Sequence, residues 1–237
     1  CEVLAEAKPS RASEPVQALE DIDRIVGYCL ENQRWRDALL FVLGFNFGMR
    51  VSDLRLLQLK HLYRNKRIVD SFSFGKKKTR KAQTIYVNEA AKTMLKIYLQ
   101  KVDGLVDESY LFFNDSYNKK FVERNGVMVA NPMTRQSIHR IIKQVMDDLS
   151  IAGHYATHTL RKTPGFQVIQ MSCDYVGIEN TVGIQMLQAF YGHSSVQSTL
   201  HYTGFTEKQR RELFERLNLG LNAIKDFLNH EKYQHVR

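Results

Sequence analysis

Apolar residues at Leu19, Ile22, Val26, Cys29 and Leu30 recur at helical spacing, and the stretch from Trp35 to Phe47 is apolar on most sides. A surface helix therefore leads into a buried one. Gly48 stops the second helix, and Ser52 is placed to cap a short helix over residues 53–58, leaving Arg50 in the turn between them. After that turn the period changes: Ile68, Asp70, Phe72 and Phe74 alternate along one face, and Q-T-I-Y-V at 83–87 is rich in β-formers. Two strands are predicted, over 67–74 and 83–87, joined by a long lysine-rich hairpin loop, Gly75 to Ala82.

Asn88 is a cap for a helix over 89–101, residues 110–113 read as a short buried strand or turn, and the polar stretch 114–130 reads as an exposed loop. Asn131-Pro132 starts the most sharply patterned helix, with Ile138, Ile141, Ile142, Val145, Met146 and Leu149 on one stripe. Helical patterns follow over 159–171, 182–191, 195–201 and 206–217. The chain shows neither internal repeat nor low-complexity tract, so the predicted fold class is α+β, mainly α-helical with a small antiparallel β-sheet. Residues 1–15, small, polar and broken by prolines, read as a linker or the stub of a missing N-terminal segment, with the ordered domain starting near Val16.

Composition narrows the classes. The 237 residues are 43% hydrophobic, enough for a sizeable core. No run of 18 apolar residues occurs and the first fifteen are too polar for a signal peptide, so a soluble, cytoplasmic protein with no membrane partner is expected. Three cysteines, Cys1, Cys29 and Cys173, lie far apart without C-x-x-C spacing, which points to neither a disulfide framework nor a zinc site. The formal charge is +9, and nine basic residues between Lys60 and Lys81 face one acid, Asp70. Such a stripe is what a polyphosphate backbone selects, though a solvated basic loop or an acidic protein partner would also account for it.

The polar residues that stand out are Arg50, the pair His158 and Arg161 in H-T-L-R, His193, and Tyr202 nine residues later. Guanidinium forks bind phosphate bidentately and stay protonated, histidines handle protons near neutral pH, and a phenol can attack phosphorus. Taken singly, each has a blander reading. Arg50 could be a surface charge at a helix end, His193 a turn residue, and Tyr202 a half-buried core tyrosine. His154 and His158, four apart, could hold zinc, but no third ligand is near and H-E-x-x-H is absent.

In order, the strings F-G-M-R-V-S-D-L-R-L-L-Q-L (47–59), H-T-L-R-K-T (158–163) and Y-G-H-S-S-V-Q-S-T-L-H-Y-T (191–203) resemble the three boxes of the tyrosine recombinase (phage integrase) family. The resemblance spans about residues 16 to 217. It implies the catalytic-domain fold of that family and strand cleavage through a 3′-phosphotyrosine, with Arg50, His158, Arg161 and His193 around the phosphate, Tyr202 as nucleophile and Asp53 supporting Arg50. The family's hairpin lysine falls in the basic loop, where counting back from the second strand favours Lys78 as general acid, with Lys76 and Lys77 as alternatives; Lys76, Lys77, Arg80 and Lys81 then hold DNA. No cofactor or metal is implied.

The resemblance also implies double-stranded DNA as partner, a catalytic domain over 16–217 lacking the family's N-terminal DNA-binding domain, and a tail helix over 218–237. In the tail, Leu217, Leu221, Ile224 and Leu228 form a stripe like the one that docks on a neighbouring protomer, implying a higher-order homo-oligomer on DNA; packing on its own domain is the alternative. Two departures stand out. Pro164 falls three residues after Arg161, where it should kink or delay the helix, and the interval to His193 is long, with 173–183 as the inserted loop. Beside a recombinase or integrase of a mobile element, the remaining readings are a type IB topoisomerase, a catalytically degraded DNA-binding module and a helical protein–protein adaptor.

Overall fold

The computed structural model describes residues 12–74, 83–114, 121–173, 191, 211 and 214–234. Its centre is helix α2 (Trp35–Phe47), in which every residue from Asp37 to Phe47 is buried. A helix that is apolar all round has to be enclosed by others. Around it lie α1 (Leu19–Glu31), α5 (Glu89–Lys101) and α7 (Thr159–Cys173), which pack directly on α2, and α8 (Leu221–Gln234), which packs on α1 and α5. Two short helices, α3 (Val51–Leu54) and α4 (Leu59–Leu62), follow α2, and α6 (Arg135–Asp148) buries Ile138, Ile142, Val145 and Met146. The strands are confined to three antiparallel two-stranded hairpins: β1 (Tyr63–Arg64) with β2 (Arg67–Ile68), β3 (Ser71–Phe74) with β4 (Gln83–Tyr86), and β5 (Phe121–Arg124) with β6 (Val127–Ala130). The α+β class and the mainly helical character are as the pattern indicated.

Gly48 ends α2 in the left-handed region (φ 59°, ψ 19°), the conformation that a residue with a β-carbon resists. Asn88 caps α5 by accepting from the Ala91 N–H at 3.1 Å. Elsewhere the local reading needs correction. Ser52 does not cap a helix over 53–58: Arg50, extended, is the residue before α3, its carbonyl accepts from Asp53 and Leu54, and the Ser52 hydroxyl turns to Asp53 instead. Pro132 does not start α6, because it sits in a bridge to Phe113. The helix begins three residues later behind Thr134, whose hydroxyl accepts from the Ser137 N–H.

The first predicted strand is really two. Asn65 and Lys66 both take positive φ (50° and 60°) and turn β1 into β2, after which Val69 bonds back to Leu62 and the chain re-enters a ladder only at Ser71. The stretch 114–130 is not simply a loop. Asn125 (φ 49°) and Gly126 (φ 77°) make the mirror-image two-residue turn that suits right-twisted strands, closing β5 on β6. Among the described residues, no helix is long and apolar enough to cross a membrane.

Two features fasten the parts together. Residues 13–17, ahead of α1, lie along the start of α7. Glu14 N–H donates to His154, Val16 N–H to the Thr163 hydroxyl, and Lys162, Thr159 and Gln167 donate to the carbonyls of Ser13, Glu14 and Gln17, all within 3.0 Å. Buried Asn46 on α2 donates to the carbonyls of Val42 and Leu219, and its oxygen accepts from the Leu219 N–H and from Asn88. The tail stripe, meanwhile, is occupied in the same chain. Leu217 and Ile224 are buried, Phe227 stacks edge-on against Trp35, and Glu231 pairs with Lys101 at 2.7 Å.

Candidate active site

The ends of α2 and α7 build the described part of the site. The two helices approach closely because Gly44 offers no side chain: a β-carbon there would lie 3.0–3.2 Å from Leu160. That approach sets the residue after Leu160 beside the end of α2, and Arg161 Nη1 donates to the Gly48 carbonyl at 2.5 Å. Arg50 follows Gly48 by two positions, so the string that ends α2 and the string that opens α7 share one bond. Arg50 is exposed, and Arg161 is part-buried.

Electrostatics record how near the groups are. Burial pushes the Arg161 guanidinium below the ordinary arginine range, the Arg50 charge pushes the same way, and Tyr191 and Asp53 oppose both. Arginine nonetheless stays protonated at neutral pH. Among the described residues these two cations and one carboxylate make a net positive spot, which suits an anion such as a phosphodiester.

His158 is the residue just before α7. Its carbonyl accepts from the N–H groups of Arg161 and Lys162, while its exposed side chain faces a cleft of about 460 Å³ lined also by Arg135, His139, Arg140 and Thr157. Arg135 Nε donates to the Thr157 hydroxyl at 3.3 Å, tying α6 to the segment that leads into His158. The pattern reading took α6 as a buried stripe and passed over its other face. The signal available was the spacing of Arg135 and His139, one turn apart on the polar side.

Pro164 does not delay α7, which starts at Thr159 and continues through the proline to Cys173. The Thr163 hydroxyl bonds to the Thr159 carbonyl at 2.9 Å, and the Tyr191 hydroxyl donates to the carbonyl of Arg161 while accepting from the Gly165 N–H. The position of Arg161 is thus held in spite of the proline. Tyr191 opens the third box but carried no role in the sequence reading. Its ring lies under the Arg161 guanidinium, 4.3 Å from centroid to the guanidinium carbon, and burial pushes its phenol up to about 12.

Of the residues singled out earlier, Arg50, Asp53, His158 and Arg161 are described, and the first, second and fourth are brought together. Lys76, Lys77, Lys78, Arg80, Lys81, His193 and Tyr202, and most of the inserted interval 173–183, lie outside the described residues. The described half of the basic stripe ends in the β1–β2 turn, where Arg64, Lys66 and Arg67 are exposed, while its one acid, Asp70, pairs with Lys92 at 2.5 Å.

The sequence model of the phage integrase family matches residues 17–209. The chain is 29% identical over 202 residues to the Bacillus subtilis (strain 168) protein named "Probable integrase/recombinase YoeC", covering 85% of this chain and 95% of that one. It is 29% identical over 185 residues to tyrosine recombinase XerC of Treponema denticola, covering 76% of this chain and 55% of that one, so it spans about half the length of that relative. In fold it is similar to XerA recombinase (TM-score 0.52, 21% identity, 86% of this chain and 66% of that one). The integrase from mycobacterium phage Brujita is similar too (TM-score 0.56, 18% identity, 89% and 60%).

Proposed function

The chain belongs to the phage integrase family, and from that premise we propose that it is a site-specific DNA recombinase that cuts and rejoins strands through a 3′-phosphotyrosine. The observation that carries the reading is Arg161 bonded to the Gly48 carbonyl, two residues ahead of Arg50, with the charges of Arg50 and Asp53 both felt at its guanidinium. Two neighbouring guanidinium groups are suited to the two non-bridging oxygens of a scissile phosphate, whose charge grows as a fifth oxygen approaches.

Tyr202 is the nucleophile in this proposal. Its phenol oxygen bonds to phosphorus, the phenol proton passes to a histidine, His158 or His193, and the bond to the 5′ oxygen breaks with Lys78 donating the proton that oxygen needs. The free 5′ hydroxyl of another strand then attacks the phosphotyrosine and releases the tyrosine, so the energy of the broken bond is kept and rejoining uses no nucleotide. His193 stands two residues after Tyr191, and a chain held at Tyr191 against Arg161 supports a place for that histidine beside the same phosphate.

Double-stranded DNA is the partner, acted on in the cytoplasm. Arg64, Lys66 and Arg67 in the β1–β2 turn, with Lys76, Lys77, Arg80 and Lys81 beyond it, hold its backbone, and the cleft of Arg135, His139 and Arg140 extends that contact past His158. Residues 16–217 form the catalytic unit, and protomers assemble on DNA through the tail, 218–237; an exchange of tails would have to replace the packing of α8 on its own α1. A proline so close to the second arginine would favour a degraded binding module if it displaced that arginine, but Arg161 is held by Gly48 and Tyr191.

The test is covalent capture. Nicked duplexes drawn from a randomised pool lose the short strand beyond the cut and trap the adduct. Tyr202→Phe is expected to abolish denaturant-resistant capture while noncovalent binding stays within about threefold, since the phenol enters only the bond-making step. An adduct that persists in Tyr202→Phe would falsify the nucleophile, and no capture by the wild-type chain from any duplex would overturn the recombinase reading.

A further inference from the structure

A proline in the sixth position of a helix cannot donate to the carbonyl four residues earlier, and helices bend where the ladder is open. In α7 that gap falls beside Arg161, so any change of bend there swings the guanidinium. Tyr191 meets Arg161 twice. Its ring supports the guanidinium face at 4.3 Å, and its hydroxyl stands between the Arg161 carbonyl and the Gly165 N–H, the two groups that would close the ladder across the proline. On its other edge the guanidinium is held by the Gly48 carbonyl. One side chain therefore touches both the backbone and the charged end of the same arginine, and it reaches α7 from outside that helix.

We propose that Tyr191 is a positioning residue for Arg161: the ring sets the plane of the fork, the hydroxyl bridges the Arg161 carbonyl and the Gly165 N–H across Pro164, and together they aim the guanidinium at the phosphate. The ring covers one face of the fork while the Gly48 carbonyl holds one of its N–H groups, so the plane of the guanidinium is set from two sides. This inference rests on the recombinase reading for what Arg161 does, and on the described contacts alone for how it is held.

Two measurements separate these. In protein labelled with 15N-arginine and free of DNA, the Arg161 Nε–H resonance, assigned with Arg161→Lys, is expected to carry the ring-current shift of the tyrosine. Tyr191→Phe keeps the shift but exchanges about threefold to tenfold faster with water, having lost one hydrogen bond at the helix. Tyr191→Leu loses the shift. On a nicked duplex that the wild type cuts, Tyr191→Leu is expected to slow single-turnover cleavage by about tenfold to a hundredfold, the scale of a misplaced catalytic group, with binding changed less than about threefold. That defect shrinks to about threefold or less when a methylphosphonate, which lacks the anionic oxygen, replaces the scissile phosphate, because there is then less charge for Arg161 to meet.

An Arg161 resonance unchanged in Tyr191→Leu overturns the inference, and so does a cleavage defect equal on phosphate and methylphosphonate, which would mark a general loss of structure. If Arg161→Ala cleaves as fast as wild type, the assigned role of Arg161 fails instead, while the resonance still reports whether Tyr191 holds it.

Discussion

At the scale of single residues, the site depends on a side chain that is absent. Gly44 lets α7 settle on α2, and a larger group there would push against the Leu160 side chain at 3.0–3.2 Å. Gly44→Val is expected to lower stability by about 1–3 kcal/mol, the usual cost of overpacking a filled core, and to shift Arg161 off the Gly48 carbonyl. Denaturant midpoints measure the first effect. If the cause is crowding, Leu160→Ala in the same chain should recover part of the loss; a double variant no better than the sum of the two singles would assign the cost elsewhere. Tyr191 adds a dependence on pH. Its folded phenol titrates at about 12 against an ordinary 10.0, so the protonated form is favoured by folding. The stability it contributes is complete below the unfolded value and is lost as pH rises through 10 toward 12. Wild type should therefore lose its advantage over Tyr191→Phe across that window, as measured by unfolding at about pH 9 and about pH 11. Cys29, whose thiol burial pushes up to about 12, titrates alike in both proteins and cancels from the difference.

At the scale of elements, what could be read from the chain was what neighbours in sequence decide. The stripes of α1 and α6, the enclosed α2, the left-handed stop at Gly48 and the Asn88 cap each follow from a few adjacent residues. The β1–β2 turn was hidden because Asn65-Lys66 lacks the glycine that normally marks it, whereas Asn125-Gly126 carried the usual mark and was hidden only by the polar residues around it. Pro132 misled because proline suits both a helix start and a strand edge, and Phe113, nineteen positions away, chose the edge. The arginines of the site were legible since each sits in a compact string. The contact of Tyr191 with α7 was not, since it joins separate stretches and depends on how the helix passes Pro164. The link from α2 to the tail is of the same kind. Asn46 satisfies both backbone groups of Leu219 in a dry interior, so Asn46→Leu strands them and should cost about 2–4 kcal/mol. Amide exchange should quicken most over residues 214–228, and an unchanged exchange pattern there would show that other contacts hold the tail. Exposed Asn222→Ala, which loses only its contact with Asp23, should change stability by less than about 0.5 kcal/mol.

At the scale of the whole molecule, charge and architecture act together. Basic groups gather on the stretch from Lys60 to Lys81 and in the cleft beside His158, so binding to duplex DNA should weaken steeply with salt, with a log–log slope of about −4 to −8 for that many phosphate contacts. A slope near zero would mean that these residues face something other than a phosphate backbone. The stretch 13–17 has a mechanical consequence. Its bonds to Thr159, Lys162, Thr163 and Gln167 run side by side along the first turns of α7, with one more to His154 ahead of that helix, so a pull on the chain ahead of Ser13 loads them together, in shear, and not one after another like a zip. Tension applied there is passed through four of those bonds to the helix that carries Arg161, which makes the leading segment of the chain a tiller for the arginine.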